Sequence, residues 1–321
     1  MTFIRTQTSP AIGFMAGIGA ALIWGAWPVL SRDAVIDGFA PLDIAMLRFG
    51  IAGLVLAPLI LRNGFGGLGA ARAMVLAAGA GAPYVFVTVT GLSLAPAGHG
   101  GVIIPCTMLT ASTVGAWIFL KDPPSSTRLV GLAIIFCGIG LTAWSGMRLS
   151  TDIWSPDALL GDGLFMIGGV LWATYTVGSR CWRAEPFQAT AAVSVLSMII
   201  VLPIWLMAGG DAVMQAPLPA LAWQAGFQGI LVAIGALVFY TKAVAVFGAA
   251  RGALFAILGP VFTVLLAIPV LGEVPSGLAV AGLIFCTSGM AVAFGAYGLA
   301  LSALRKNTLS KPSSVPRAVS S

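Results

Sequence analysis

Two stretches decide the architecture: GFMAGIGAALIWGAWPVLSR, from Gly13 to Arg32, and GDGLFMIGGVLWATYTVGSR, from Gly161 to Arg180. Set against each other at an offset of 148, they pair Gly13 with Gly161, Trp24 with Trp172, Val29 with Val177, Ser31 with Ser179 and Arg32 with Arg180. Further along, KDPPSSTRLVGLAIIFCG (Lys121 to Gly138) and GEVPSGLAVAGLIFCTSG (Gly272 to Gly289) match at an offset of 151. There Asp122 meets Glu273, Pro124 meets Pro275, Ser125 meets Ser276, Gly131 meets Gly282 and Gly138 meets Gly289. Chance alignment of Gly-, Ala- and Leu-rich runs readily produces glycine matches, but not tryptophan, proline and acid matches in helix order. The chain therefore reads as an internal duplication.

The surrounding sequence says what is duplicated. Of its 321 residues 59% are hydrophobic and 8% charged, with a mean hydropathy of +1.02; a soluble domain carries about 25% charge. A helix needs about 20 largely apolar residues to cross a bilayer. Runs of that kind fall near 12–31, 73–98, 100–120, 129–147, 163–179, 186–210, 212–241, 252–272 and 274–300, and a tenth at 41–61 is interrupted by Asp43 and Arg48. The predicted fold is an all-α polytopic membrane protein with ten transmembrane helices, five in each repeat. Because five is odd, the second repeat enters the membrane in the opposite sense. That creates a pseudo-two-fold axis in the membrane plane and a site near the midplane between the halves. The expected segments are a cytoplasmic N-terminus (1–11), a first repeat (12–147), an extracytoplasmic linker (148–156), a second repeat (157–300) and a disordered cytoplasmic tail (301–321).

Lys and Arg beside the spans set the orientation. With both termini cytoplasmic, Arg5, Arg62, Arg72, Lys121, Arg128, Arg180, Arg183, Arg251, Arg305, Lys306, Lys311 and Arg317 face inward and only Arg32 and Arg148 outward. The expected location is a bacterial cytoplasmic (inner) membrane. The first run is long, holds Trp24 and Trp27, and lacks a small-x-small cleavage site, so it reads as a span rather than a cleaved signal. The net charge of +6 is scattered singly and forms no nucleic-acid footprint. Cys106, Cys137, Cys181 and Cys286 form no CxxC, and the chain has one histidine, so no metal or cofactor is expected. The expected partners are a small-molecule substrate and the lipid bilayer, with the chain a monomer or a homodimer.

Several of these residues also carry a family resemblance. Trp-Gly-Ala-Trp-Pro (Trp24 to Pro28), Leu-Arg-Phe-Gly (Leu47 to Gly50), Gly-Asp-Gly (Gly161 to Gly163) and the stretch from Gly248 to Gly282, with Ala-Arg-Gly-Ala, Gly-Pro-Val-Phe and Leu-Gly-Glu, occur in that order. The chain resembles the EamA-like branch of the drug/metabolite transporter superfamily over roughly residues 12–300. The resemblance implies helices 1, 3, 4, 6, 8 and 9 around a central pathway, and export of amino acids or other metabolites. The small multidrug branch couples protons through a glutamate in its first helix, which is absent from this first span. In the first half Leu120-Lys121-Asp122 replaces Leu-Gly-Glu, and Pro105 sits four residues before the counterpart of Pro260, so the halves have diverged.

Candidate pathway residues are the polar and aromatic groups within spans, which are costly unless they face protein or water. Trp24 and Trp27, and Trp172 and Tyr175, occupy matched positions and share a helix face within each pair. They line a pathway or pack between helices, and pathway lining is the favoured reading for Trp24 and Trp172. Tyr84 and Thr88 share a face of the third span, and Gln228 and Tyr240 lie in the eighth; each hydrogen-bonds a substrate or a neighbouring helix. Pro83, Pro105 and Pro260 interrupt spans and free backbone carbonyls, as gating breaks or inert kinks. Arg48 either snorkels, pairs with Asp43 or attracts a substrate anion; Lys242 snorkels or does the same. His99 is a proton-responsive group or a structural one. Asp43 and Asp162 fall near span ends, which disfavours a pump built on a buried carboxylate. An intramembrane enzyme lacks support, since Ser93 and His99 form no recognisable nucleophile motif, and there is no HExxH. A scaffold or signalling protein would need a sensor domain that the chain does not supply. Nor is there an ATP-binding motif.

Overall fold

The computed structural model describes residues 9–147, 156–208 and 210–295. The predicted linker up to residue 155, with Arg148, the predicted tail at 301–321 and the first eight residues of the predicted N-terminal segment lie outside the described residues.

The regular elements are helices throughout the described residues. α1 (Pro10–Ile36) begins where the Ser9 hydroxyl accepts from the N–H of Ala11 and Pro10 fills a position that needs no N–H. α2 (Pro41–Asn63), α3 (Ala70–Ala80), α4 (Ala82–Leu94), α5 (Ala97–Leu120) and α6 (Ser126–Met147) complete the first half. The second contains α7 (Pro156–Cys181), α8 (Pro186–Ala208), the short α9 (Asp211–Gln215), α10 (Leu218–Ala225), a π-helix (Gly226–Gly235), α11 (Ala236–Phe247), α12 (Ala249–Ala256), α13 (Leu258–Leu271) and α14 (Gly277–Ala293). α3 and α4 form one interrupted span, and likewise α12 and α13, whereas α10, the π-helix and α11 run on as a single span of 30 residues. Among the described residues, nine helical spans are long and apolar enough to cross a membrane, and α14 is apolar but only 17 residues long. The protein is a multi-pass membrane protein.

The inversion of the halves is visible where α6 meets its equivalent, α14. Gly131 lies against Gly289 and Ala293, and Gly138 against Gly282 and Cys286, so the two helices run antiparallel. A methyl group at Gly131 would stand 2.6 Å from the Gly289 carbonyl oxygen, and one at Gly282 would stand 3.0 Å from that of Gly138. Under the 151 offset these two contacts exchange. Backbones approach this closely only where both helices present glycine, the usual means of helix association in lipid. α2 and α8, the second helix of each half, are likewise antiparallel. Trp205 Nε1 donates to Asp43 at one end (2.7 Å), and Gln188 Nε2 donates to the Gly64 carbonyl at the other.

The remaining packing obeys the same exchange. α1 packs on α11 and α13 of the second half, and α7 packs on α3, α4 and α5 of the first. Gly13 of α1 meets Val246, and its counterpart Gly161 of α7 meets Ala95, which is the counterpart of Val246. The first helix of each half is thus clasped by the third and fourth spans of the other.

Candidate functional site

Midway along these crossed spans, polar and aromatic side chains converge between the halves. Trp27 of α1 donates its indole N–H to Gln228 Oε1 at 3.0 Å, and Gln228 Nε2 donates to Ser31 Oγ at 3.0 Å. All three residues are buried. Gln228 sits in the π-helix, whose wider turn has no signal in the sequence pattern. Trp27 stacks on Tyr84 of α4 (centroids 5.6 Å apart, planes 23°), Tyr84 meets Trp172 of α7 edge-on at 4.7 Å, and Trp172 meets Tyr175 at 5.9 Å. Trp24 turns the other way, onto Tyr240 of α11 at 5.2 Å. The two α1 tryptophans therefore serve different clusters, and Trp27 is the more central.

Arg48 of α2 enters the same cluster. It takes neither of the structural outcomes expected for it, snorkelling or pairing with Asp43. It is only 6% exposed, with its guanidinium carbon 5.4 Å from the Trp27 ring and 5.6 Å from that of Phe49. Asp43 is engaged elsewhere, accepting from the Ala40 N–H and from Trp205. Among the described residues no carboxylate forms an ion pair with Arg48, and its Nε meets no hydrogen-bond acceptor. Cation–π contacts offset part of the cost of burying this charge.

The other candidates are dispersed. Thr88 is buried but returns its hydroxyl to the Tyr84 carbonyl one turn back (2.7 Å). Lys242 is exposed on α11. Pro83 and Pro260 do not kink continuous helices. Each stands in the first turn of a new one, α4 after the break at Gly81 and α13 after the turn at Ile257, where a missing N–H costs nothing. The Ala82 N–H freed by the first break is taken by Ser197 Oγ at 3.1 Å. Of the three, only Pro105 lies inside a continuous helix, α5.

At the two ends of the molecule, the repeat produces matched ion pairs. Arg32, at the end of α1, meets Glu273 between α13 and α14, Nε to Oε1 at 2.5 Å; their alignment makes this a charge contact rather than a directed hydrogen bond. Arg32 also donates to the carbonyls of Leu92 and Ala95, the latter at 2.6 Å, and Glu273 accepts from the Ala97 N–H at 2.9 Å. At the opposite end their counterparts, Arg180 and Asp122, stand 3.6 Å apart with both side chains half exposed. One end is cross-tied to four elements; the other is held by a solvated pair of little strength.

Near the Arg32 end, His99 of α5 is buried (3% exposed) beside Asp162 of α7 (4%), with Nδ1 2.9 Å from Oδ1. Its Nε2 is 3.3 Å from Ser145 Oγ of α6. A cavity of about 380 Å³, lined by His99, Thr142, Ser145, Gly98 and Glu273 among others, adjoins the pair. Asp162 is expected near a span end, and there the structure buries it. Asp162 falls near the end of its span by count, but Gly161 brings α7 so close to α4 at Ala95 that the neighbouring carboxylate is enclosed. Gly161 of Gly-Asp-Gly was the available signal for this enclosure, whereas a Cβ at Gly163 would meet open space. Ser31 was also missed as a site residue, although its match to Ser179 marked it.

Comparison with known proteins agrees with this architecture. A solved crystal structure with 20% sequence identity superposes with a TM-score of 0.58, covering 89% of this chain and 97% of its own, which shows the fold alone. A protein from Archaeoglobus fulgidus called an uncharacterized transporter is 28% identical over 184 residues, 56% of this chain; the match spans 62% of that relative's length. The model of the EamA-like transporter family matches twice, at residues 11–144 and 159–295, once in each half. With both halves matched and packed as inverted equivalents, the chain belongs to the EamA-like transporter family.

Proposed function

We propose that the protein is a secondary transporter that exports small organic metabolites such as amino acids by alternating access, with the Arg180 end cytoplasmic. The observation that carries this reading is the matched pair of end contacts. Arg32–Glu273 and Arg180–Asp122 are equivalent positions of an inverted repeat held in unequal states, one tied and one loose. Rocking the halves about the pseudo-two-fold axis exchanges the two states and turns a central site from one side to the other. At that site Arg48 supplies a positive charge for a substrate carboxylate, Trp27, Tyr84 and Trp172 an apolar wall, and Gln228 a polar edge. The preponderance of Lys and Arg at the Arg180 end supports the orientation.

Counterflow of a labelled amino-acid mixture into liposomes carrying the purified protein tests the reading. Exchange above protein-free liposomes without ATP is expected, and its absence across amino acids, nucleobases and quaternary amines would overturn it. Arg48→Gln should weaken apparent affinity for carboxylate substrates roughly 10- to 100-fold, the equivalent of losing a charged hydrogen bond worth ~1.5–3 kcal/mol.

A further inference from the structure

We propose that His99 and Asp162 form a proton-binding site that couples transport to proton flow, reached through the cavity beside Glu273. The inference rests on the transport reading above and adds the coupling ion to it.

The hydrogen bonds around the imidazole describe two states. Nδ1–H faces the Asp162 carboxylate at 2.9 Å. Ser145 gives its single hydroxyl proton to the Thr142 carbonyl at 2.7 Å, which leaves its oxygen to accept from Nε2–H at 3.3 Å. This arrangement accommodates a ring protonated at both nitrogens, donating to the Asp162 carboxylate and to Ser145 Oγ. When water in the cavity takes the Nε2 proton, Nε2 becomes an acceptor, and the Ser145 hydroxyl turns from Thr142 to satisfy it. The two states differ by one proton and one hydroxyl rotation.

Packing alone does not call for a polar pair here. Under the 148 offset the counterpart of Asp162 is Phe14, which meets Phe255 edge to face at 5.7 Å, and under the 151 offset that of His99 is Ala250, so the other half carries no ionisable group at either position. Within a membrane, paired ionisable groups retained without structural need mark ion pathways. The charged groups facing the site are Asp162 from α7, Glu273 from the turn before α14, and Arg32 from α1, which Glu273 holds. α6 contributes Ser145 and Thr142, and α13 contributes Val264 and Ala267, none of which titrates. α5 and α6 belong to the first half, and α7, α13 and Glu273 to the second, so the His99–Asp162 contact itself joins the two halves. A change of charge at His99 therefore acts across the boundary that must open.

His99 is the only histidine in the chain, so nitrogen NMR of the full protein labelled at histidine reads this site alone. Between about pH 5 and 8, the range in which histidine changes charge, the signal is expected to move from doubly to singly protonated imidazole. In liposomes that are acidic inside, the outward-directed proton gradient should drive accumulation of the labelled amino-acid mixture by exchange, with a trapped pH dye reporting proton loss. His99→Gln and Asp162→Asn should lose the gradient-driven component selectively. Counterflow with no gradient-driven accumulation and no proton movement in the wild type would overturn coupling while leaving the transport reading intact. A histidine signal fixed across the range would overturn proton binding. Absence of counterflow would overturn the transport reading, and coupling with it.

Discussion

Arg48 shows what a single residue contributes beyond its position in the sequence. A guanidinium enclosed by Trp27 and Phe49 without an acid partner works against folding, because removing a cation from solvent costs several kcal/mol that ring contacts only partly offset. Arg48→Met should therefore leave the thermal unfolding temperature equal to or above that of the wild type while abolishing carboxylate transport. A lowered temperature would show the charge to be structural. At this scale the sequence was only partly legible. The three-residue spacing of Trp24 and Trp27 placed both on one face, but which of them meets Tyr84 depends on where α4 crosses α1. The distance from Arg48 to the end of α2 suggested an escape to the interface, whereas α1 closes that route with an indole. His99 and Asp162 stand 63 positions apart, and nothing local to either one announces the pair.

Among the elements, the seam between α6 and α14 was the most readable and the interrupted spans the least. Gly131, Gly138, Gly282 and Gly289 matched in sequence because each faces a backbone at the same crossing. A Cβ at Gly138 would stand 2.8 Å from the Cys286 nitrogen and 2.9 Å from the Gly282 oxygen, atoms that cannot move aside. Gly138→Val should accordingly destabilise the folded protein by ~1–3 kcal/mol, seen as earlier thermal unfolding in detergent. Gly140→Val, where a Cβ meets open space, should leave it nearly unchanged. Hydropathy located the third and ninth spans as continuous runs and could not show their breaks. At Gly81 the chain relies on the Ser197 hydroxyl, more than a hundred residues away, to satisfy the exposed N–H of Ala82. The π-helix around Gln228 escaped notice for a related reason, since Gly226–Gly235 continues the apolar run of the helices on either side.

For the molecule as a whole, inverted symmetry is obeyed by the helices and broken by the side chains. The sequence matched Arg32 to Arg180 and Asp122 to Glu273 without indicating that each arginine would find the acid of the other match. With the four native cysteines replaced by serine, Gly98→Cys places a thiol in the cavity at the Arg32 end. Glu273→Gln should raise its reaction rate with a membrane-impermeant reagent, and exchanging the charges through Arg32→Glu with Glu273→Arg should return the rate toward its starting value. Asp122→Asn, which loosens the opposite end, should lower it. Equal rates in all of these backgrounds would refute the exchange of end contacts.

The antiparallel seam also bears on how the protein is made. Cys286 reaches the carbonyl of Ile135 across 151 positions of chain, so the glycine face of α6 has no partner until nearly the last helix has left the ribosome. At synthesis rates of about 5–20 residues per second that interval is on the order of ten seconds. Through it, five newly inserted helices wait in the bilayer with their closing surface turned to lipid. An insertion chaperone that shields α6 during that delay would find the surface open, and the arrival of α14 would release it.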